Sequence, residues 1–156
     1  MIYTFVICQF LVVLFIAAHD WLPLGRLNNL DGIRAADTTA KLVLVTVLST
    51  LPFAIAFVAS LYYAKSNFPM WLMWLLWCTY GAALYGMLQT WWVPYLFVRN
   101  PARVARYQVR FANTHSFLPV RNGIRPDTLH MGFHAVLVAT VVLLCVLSFR
   151  GHAHLM

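Results

Sequence analysis

His130 and His134 stand four residues apart at the start of a long apolar run, "TLHMGFHAVLVATVVLLCVLSF". On a helix that spacing puts both imidazoles on one face, with Cβ atoms about 5–6 Å apart. Asp127 sits just before the run as a natural N-cap, which makes His130 the third helical residue. The positive end of a helix disfavours imidazolium, and neutral imidazole is the form that binds a metal or passes a proton. Further donors lie within reach of the same mouth. His19 and Asp20 end the first apolar run, and His115 lies in "FANTHSFLPVRNGIRPD".

The candidate metal ligands are therefore His130, His134, His115 and His19, with Asp20, Asp127 and Asn113 as polar support. Such a set suits zinc, copper or iron, and a haem would need paired histidines on different helices. The motif content is thin. Met131 stands where a metalloprotease HExxH helix carries its glutamate. Nothing resembles a nucleophile elbow or a phosphate-binding glycine loop. The plainer alternative is that one histidine bonds Asp127 or a loop carbonyl, while the other packs beneath lipid headgroups. His152 and His154 in "RGHAHLM" form a looser pair on a tail.

The elements that must hold these residues are membrane helices. Of the 156 residues, 62% are hydrophobic and 10% charged, and the mean hydropathy is +0.75. That composition belongs to lipid. Four runs reach the length a bilayer demands: 2–18, 42–64, 69–90 and 128–149. The first lacks a basic leader and an A-x-A site, so it reads as a retained helix. The expectation is an all-α integral membrane protein: one domain over 1–156, its four transmembrane helices in an antiparallel bundle.

Charge sets the orientation. The loops 19–41 and 98–127 hold nine basic residues (Arg26, Arg34, Lys41, Arg99, Arg103, Arg106, Arg110, Arg121, Arg125), and the opposite side holds Lys65 and Arg150. Both long loops should face the cytoplasm and both termini the outside, in a bacterial-type inner membrane. Aromatic belts fit this, with Tyr62, Tyr63, Trp71 and Trp74 at the outer boundary and Trp21, Trp91, Trp92 and Tyr95 at the inner one. The basic residues thus read as topology signals facing anionic headgroups, and nucleic acid is not an expected partner.

Within the second loop, "NPARVARYQVRFA" predicts a short amphipathic helix capped by Asn100. Val104, Tyr107 and Phe111 share one face, and Arg103, Arg106 and Arg110 lie opposite, placed for lipid phosphates. In the third span, Ala82 and Gly86 form a small-xxx-small pair for close helix packing, either in the bundle or between copies. Pro52 predicts a kink whose freed carbonyls Ser49 and Thr50 can satisfy.

Three classes of function remain open on these residues. One is a non-catalytic accessory or assembly protein, alone as an oligomer or in a larger membrane complex. Another is a metal- or haem-dependent membrane enzyme acting on a lipid-soluble substrate. The third is a small oligomeric transporter, with Gln9, Gln89, Thr50 and Pro52 lining a path.

Overall fold

The structure, a computed structural model, describes residues 1–111 and 113–153, with side chains as far as Phe149. The described residues build helices joined by ordered loops. In chain order these are α1 (Ile2–Ala18), α2 (Leu30–Ala36), α3 (Thr39–Tyr62), α4 (Met70–Met87), a π-helical turn (Leu88–Trp92), α5 (Val93–Leu96), α6 (Pro101–Phe111) and α7 (Thr128–Ala153). The π turn joins α4 to α5 without a break, so one long helix runs over Met70–Leu96. It outlasts the expected end near residue 90 because Pro94 lies close to the start of a new helical turn, where its missing N–H costs little.

Among the described residues three helices are long and apolar enough to cross a membrane: Thr39–Tyr62, Met70–Leu96 and Thr128–Phe149. The fourth expected span, α1, is apolar but has 17 residues. At 1.5 Å per residue it measures about 25 Å, short of a hydrocarbon core of about 30 Å. The outward faces are those of lipid-exposed helices. On α3, Leu44, Leu48, Leu51, Ile55 and Val58 are each more than half exposed. A water-soluble chain does not present such a continuous stripe.

The long helices pack in a ring, α1 against α3 and α7, and α4 against α3 and α7. Neighbours run antiparallel. Phe15 meets Phe133 and His19 meets His130 across α1–α7, while Tyr63 meets Trp71 and Phe53 meets Tyr80 across α3–α4. The core they enclose includes Phe5, Val12, Ala56, Leu72, Leu76, Tyr80, Leu137 and Leu144. Hydrogen bonds between neighbouring elements reinforce it, with Trp77 Nε1 donating to Ser148 Oγ and Trp21 Nε1 to Thr46 Oγ1, both at 3.0 Å. Such bonds add about 0.6–2 kcal/mol where lipid offers no competing partner.

Some sequence readings of this frame need correction. Gly86 is only half-buried and Ala82 is exposed, and a Cβ built on Gly86 would meet nothing within 4 Å. The small-residue pair therefore makes no close helix contact within the chain. Helix α3 passes through Pro52, and the Thr50 hydroxyl finds no hydrogen-bond partner, so it does not relieve the carbonyl freed there. Gln9 is buried whereas Gln89 faces outward, so the two do not line one path.

Candidate functional site

One end of the ring is closed by the segments 19–38 and 98–127, and each reaches its place for a local reason. Asn29 caps α2 by accepting the Gly32 N–H, and Asn100 Oδ1 caps α6 by accepting from Arg103 N–H at 3.1 Å. The two short helices then pack together. A Cβ at Gly32 would lie 2.2 Å from the Val109 carbonyl oxygen, so only glycine permits this approach. Arg121 and Ile124 exchange backbone hydrogen bonds of 3.0 Å around Asn122 (φ 51°) and Gly123 (φ 83°). This is the two-residue turn that Asn-Gly favours. The Asn122 amide donates to the carbonyls of Pro94 and Tyr95, satisfying acceptors at the end of α5.

The α6 helix forms where the sequence places it, but its apolar face is not open to lipid. Val104, Tyr107 and Phe111 pack on Tyr95, Ile124, Leu118, Trp91 and Trp92. Its arginines also differ from one another. Arg110 reaches two carboxylates, Asp37 at 3.2 Å and Asp20 at 3.7 Å. Arg103 donates to the Thr90 carbonyl at 2.7 Å, within the π turn. Arg106 is exposed. Of the three residues read as headgroup ligands, two are thus engaged inside the chain. Lys41 also pairs with Asp37, and that hydrogen bond, assisted by Arg110, holds the Asp37 carboxyl below its usual range.

Beneath this cover lies the histidine cluster. Asp127, 1% exposed, caps α7 by accepting the His130 N–H at 2.8 Å. Its carboxylate also meets His130 Nδ1 at 2.9 and 3.0 Å. An ionised carboxylate there fixes the ring proton on Nδ1 and leaves the lone pair on Nε2. His19 stands edge-on to His130, ring centroids 5.7 Å apart, and His134 lies one turn deeper at 6.3 Å from His130. His19 Nδ1 meets the Phe15 carbonyl at 2.9 Å and its Nε2 meets Asp20 at 3.3 Å. Burial pushes the His19 pKa below the ordinary histidine value, with Asp20 opposing and His130 adding to the shift. His134 is 4% exposed, and its Nδ1 has no hydrogen-bond partner.

The structure thus brings His19, Asp20, Asp127, His130 and His134 together, but leaves His115 and Asn113 out. His115 Nδ1 bonds Thr128 Oγ1 at 2.7 Å, its N–H donates to the Arg26 carbonyl, and its own carbonyl accepts from Thr128 N–H. It pins the start of α7 to the first loop and does not fold over the mouth. Asn113 is exposed. His152 and His154 lie outside the described side chains.

The residues that sequence reasoning missed are aromatic. Trp91 lies 4.6 Å from His130 and 6.1 Å from His134, and Trp92 lies 6.1 Å from His134. Phe15 and Phe111 complete the wall around His130 at 5.6 and 5.4 Å. Trp91 and Trp92 had the look of interfacial anchors, and the π turn is what redirects them. A π turn inserts one extra residue per turn and so rotates the side chains that follow, a device common at functional sites. Tyr95 is likewise buried, its hydroxyl donating to the Pro119 carbonyl. The one advance signal was that two tryptophans and two histidines share this end of the bundle.

Among the described residues no group of three His, Cys, Asp or Glu side chains is set to hold a metal ion. His19 meets Phe15 and Asp20 through its two ring nitrogens, whereas His130 meets Asp127 through Nδ1 alone. A porphyrin between those rings would displace Phe15, which stacks on His19 at 4.4 Å and stands edge-on to His130. What the geometry offers is acid–base chemistry in an aromatic enclosure.

The class defined by fold and site is an all-helical chain with apolar helices long enough to cross a membrane and a histidine-bearing mouth. Compared with known protein families, characterised proteins and solved structures, the chain matches none.

Proposed function

We propose that the chain crosses the membrane four times, with both termini outside and the loops 19–41 and 98–127 in the cytoplasm, and that its working part is a proton-accepting histidine site at the cytoplasmic mouth. It acts as an accessory component of a membrane assembly, lending that site. The observation that carries this reading is the His130–Asp127 dyad, its Nδ1 held by a buried carboxylate while His19 and His134 flank the ring. A carboxylate-backed imidazole is poised to take a proton at Nε2. Two supports favour four spans: α1 packs against both α3 and α7, and the basic residues are concentrated in the two long loops. Exposed Arg106 offers a contact to anionic headgroups.

The experiment is 15N magnetic resonance of the histidine rings of the full chain in nanodiscs. The expected result is a His130 ring that carries its proton on Nδ1 and leaves Nε2 bare, with Asp127→Asn changing that tautomer signal. A His130 ring protonated on Nε2, or a tautomer signal unchanged in Asp127→Asn, would overturn the proposal. Orientation is read separately, with the native cysteines replaced by alanine. Asn67→Cys should react with an impermeant thiol reagent in intact cells and Asn113→Cys should not, and the reverse pattern would refute the topology.

A second reading, an enzyme acting on a flat lipid-soluble substrate, is favoured by Trp91 beside His130 and Trp92 beside His134. Such a substrate would quench Trp91 fluorescence, and a Trp91→Leu variant would lose that response.

A further inference from the structure

Farther into the bundle the α1–α7 seam carries a second set of polar groups. The register fixed by Phe15 on Phe133 and His19 on His130, carried up the seam, sets Val12 level with Leu137 and Gln9 level with Thr140. Tyr80 enters from α4, its ring held between Phe5 at 6.4 Å and Phe53 at 5.5 Å. Gln9, Thr140 and Tyr80 are all fully buried, at 0% exposure. The Gln9 amide lies close enough to the Tyr80 hydroxyl to interact with it. Yet neither the amide nitrogen, nor the amide oxygen, nor the hydroxyl makes a hydrogen bond of acceptable geometry within the chain. The Thr140 hydroxyl donates to the Val136 carbonyl at 2.8 Å, which leaves its lone pairs as acceptors.

An amide buried in a membrane protein without partners is among the costliest arrangements available to it. Gln89 shows that the chain can leave an amide outside the bundle, since that residue is exposed on the same helical system. Gln9 is turned inward nevertheless, near the Tyr80 phenol and on the level of buried Thr140 along the seam. Buried water needs two to four polar partners, and this set supplies an amide N–H, an amide oxygen, a phenolic O–H and the Thr140 lone pairs.

We infer that Gln9, Tyr80 and Thr140 hold bound water about halfway along the α1–α7 seam. The seam is then polar at two depths, the histidines at the mouth and water in the middle, with Val12 and Leu137 between them as an apolar layer. This site stands on its own geometry and does not depend on the acid–base reading of the mouth.

The test is X-ray radiolytic labelling of the full chain in nanodiscs, read by mass spectrometry. Radicals formed from a bound water oxidise the side chain beside it even when bulk solvent cannot reach it. The expected result is Tyr80 labelling within about threefold of exposed Tyr62, while buried Leu72 and Leu76 stay unlabelled. Gln9→Leu should cut Tyr80 labelling about fivefold or more, and Thr140→Val, a milder change of similar shape, should reduce it as well. Absence of Tyr80 labelling in the wild-type chain would overturn the inference. So would labelling that is unchanged in every folded variant.

Discussion

Replacing Asp127 separates a carboxylate that serves His130 from one that merely caps a helix. In the structure it does both, accepting the His130 N–H at 2.8 Å and His130 Nδ1 at 2.9 Å from a position 1% exposed. Asp127→Ala removes the cap, at about 1 kcal/mol, and a hydrogen bond to a charged group, at about 1.5–3 kcal/mol. The sum is roughly 2.5–4 kcal/mol. Asp127→Asn keeps a side-chain oxygen for the cap and exchanges the charged bond for a neutral one, so its cost should be about 1 kcal/mol. The difference between the variants, about 2 kcal/mol, corresponds to roughly a thirtyfold change in the unfolding equilibrium. Equilibrium unfolding of both variants in bicelles, by a steric-trap measurement, resolves a gap of that size. If asparagine costs nothing within about 0.5 kcal/mol and alanine only the cap's roughly 1 kcal/mol, the carboxylate is only a cap and the dyad reasoning fails.

Gly32→Ala drives a methyl to 2.2 Å from the Val109 carbonyl oxygen and 2.3 Å from Asn29 Nδ2, so it should destabilise the loop cover by about 1–3 kcal/mol. Faster amide hydrogen exchange in α6, with α3 unchanged, is the expected signature, and protection equal to wild type would refute the close approach. His19 has a folded-state pKa below its ordinary value of 6.5, through burial first, with Asp20 opposing. As pH falls through that region the unfolded chain binds the proton more readily than the folded one, so stability present above about pH 6.5 is lost on acidification. His19→Gln should flatten that part of a thermal-stability profile between pH 8 and pH 5, and an unchanged slope would show that His19 is not its source.

The sequence resolves what depends on local patterns. Apolar runs located the long helices, Asn100 and Asp127 capped where they were expected to, and Asn122-Gly123 made its turn. Four-residue spacing put His130 and His134 on one face because that follows from helical pitch alone. What it could not resolve depends on distant partners or on a change of pitch. The π turn at Leu88–Trp92 breaks the periodicity by which side-chain direction is inferred, so Trp91 and Trp92 read as anchors when they are walls of the site. Arg110 faces Asp20 and Asp37 because α2 and α6 dock, a contact between segments far apart in the chain. His115 followed its backbone, tied to Arg26 and Thr128, rather than its side-chain chemistry.

The α1–α7 seam has a consequence for how the protein is made. Helix α1 leaves the ribosome well before α7 exists, yet Gln9, Phe15 and His19 face α7 in the finished fold. Until α7 inserts, those side chains must be sheltered by the insertion machinery or exposed to lipid, and an exposed amide or imidazole marks an unfinished chain. Arrival of α7 covers all three at once. A chain interrupted before Thr128 would leave that face of α1 without its partner helix.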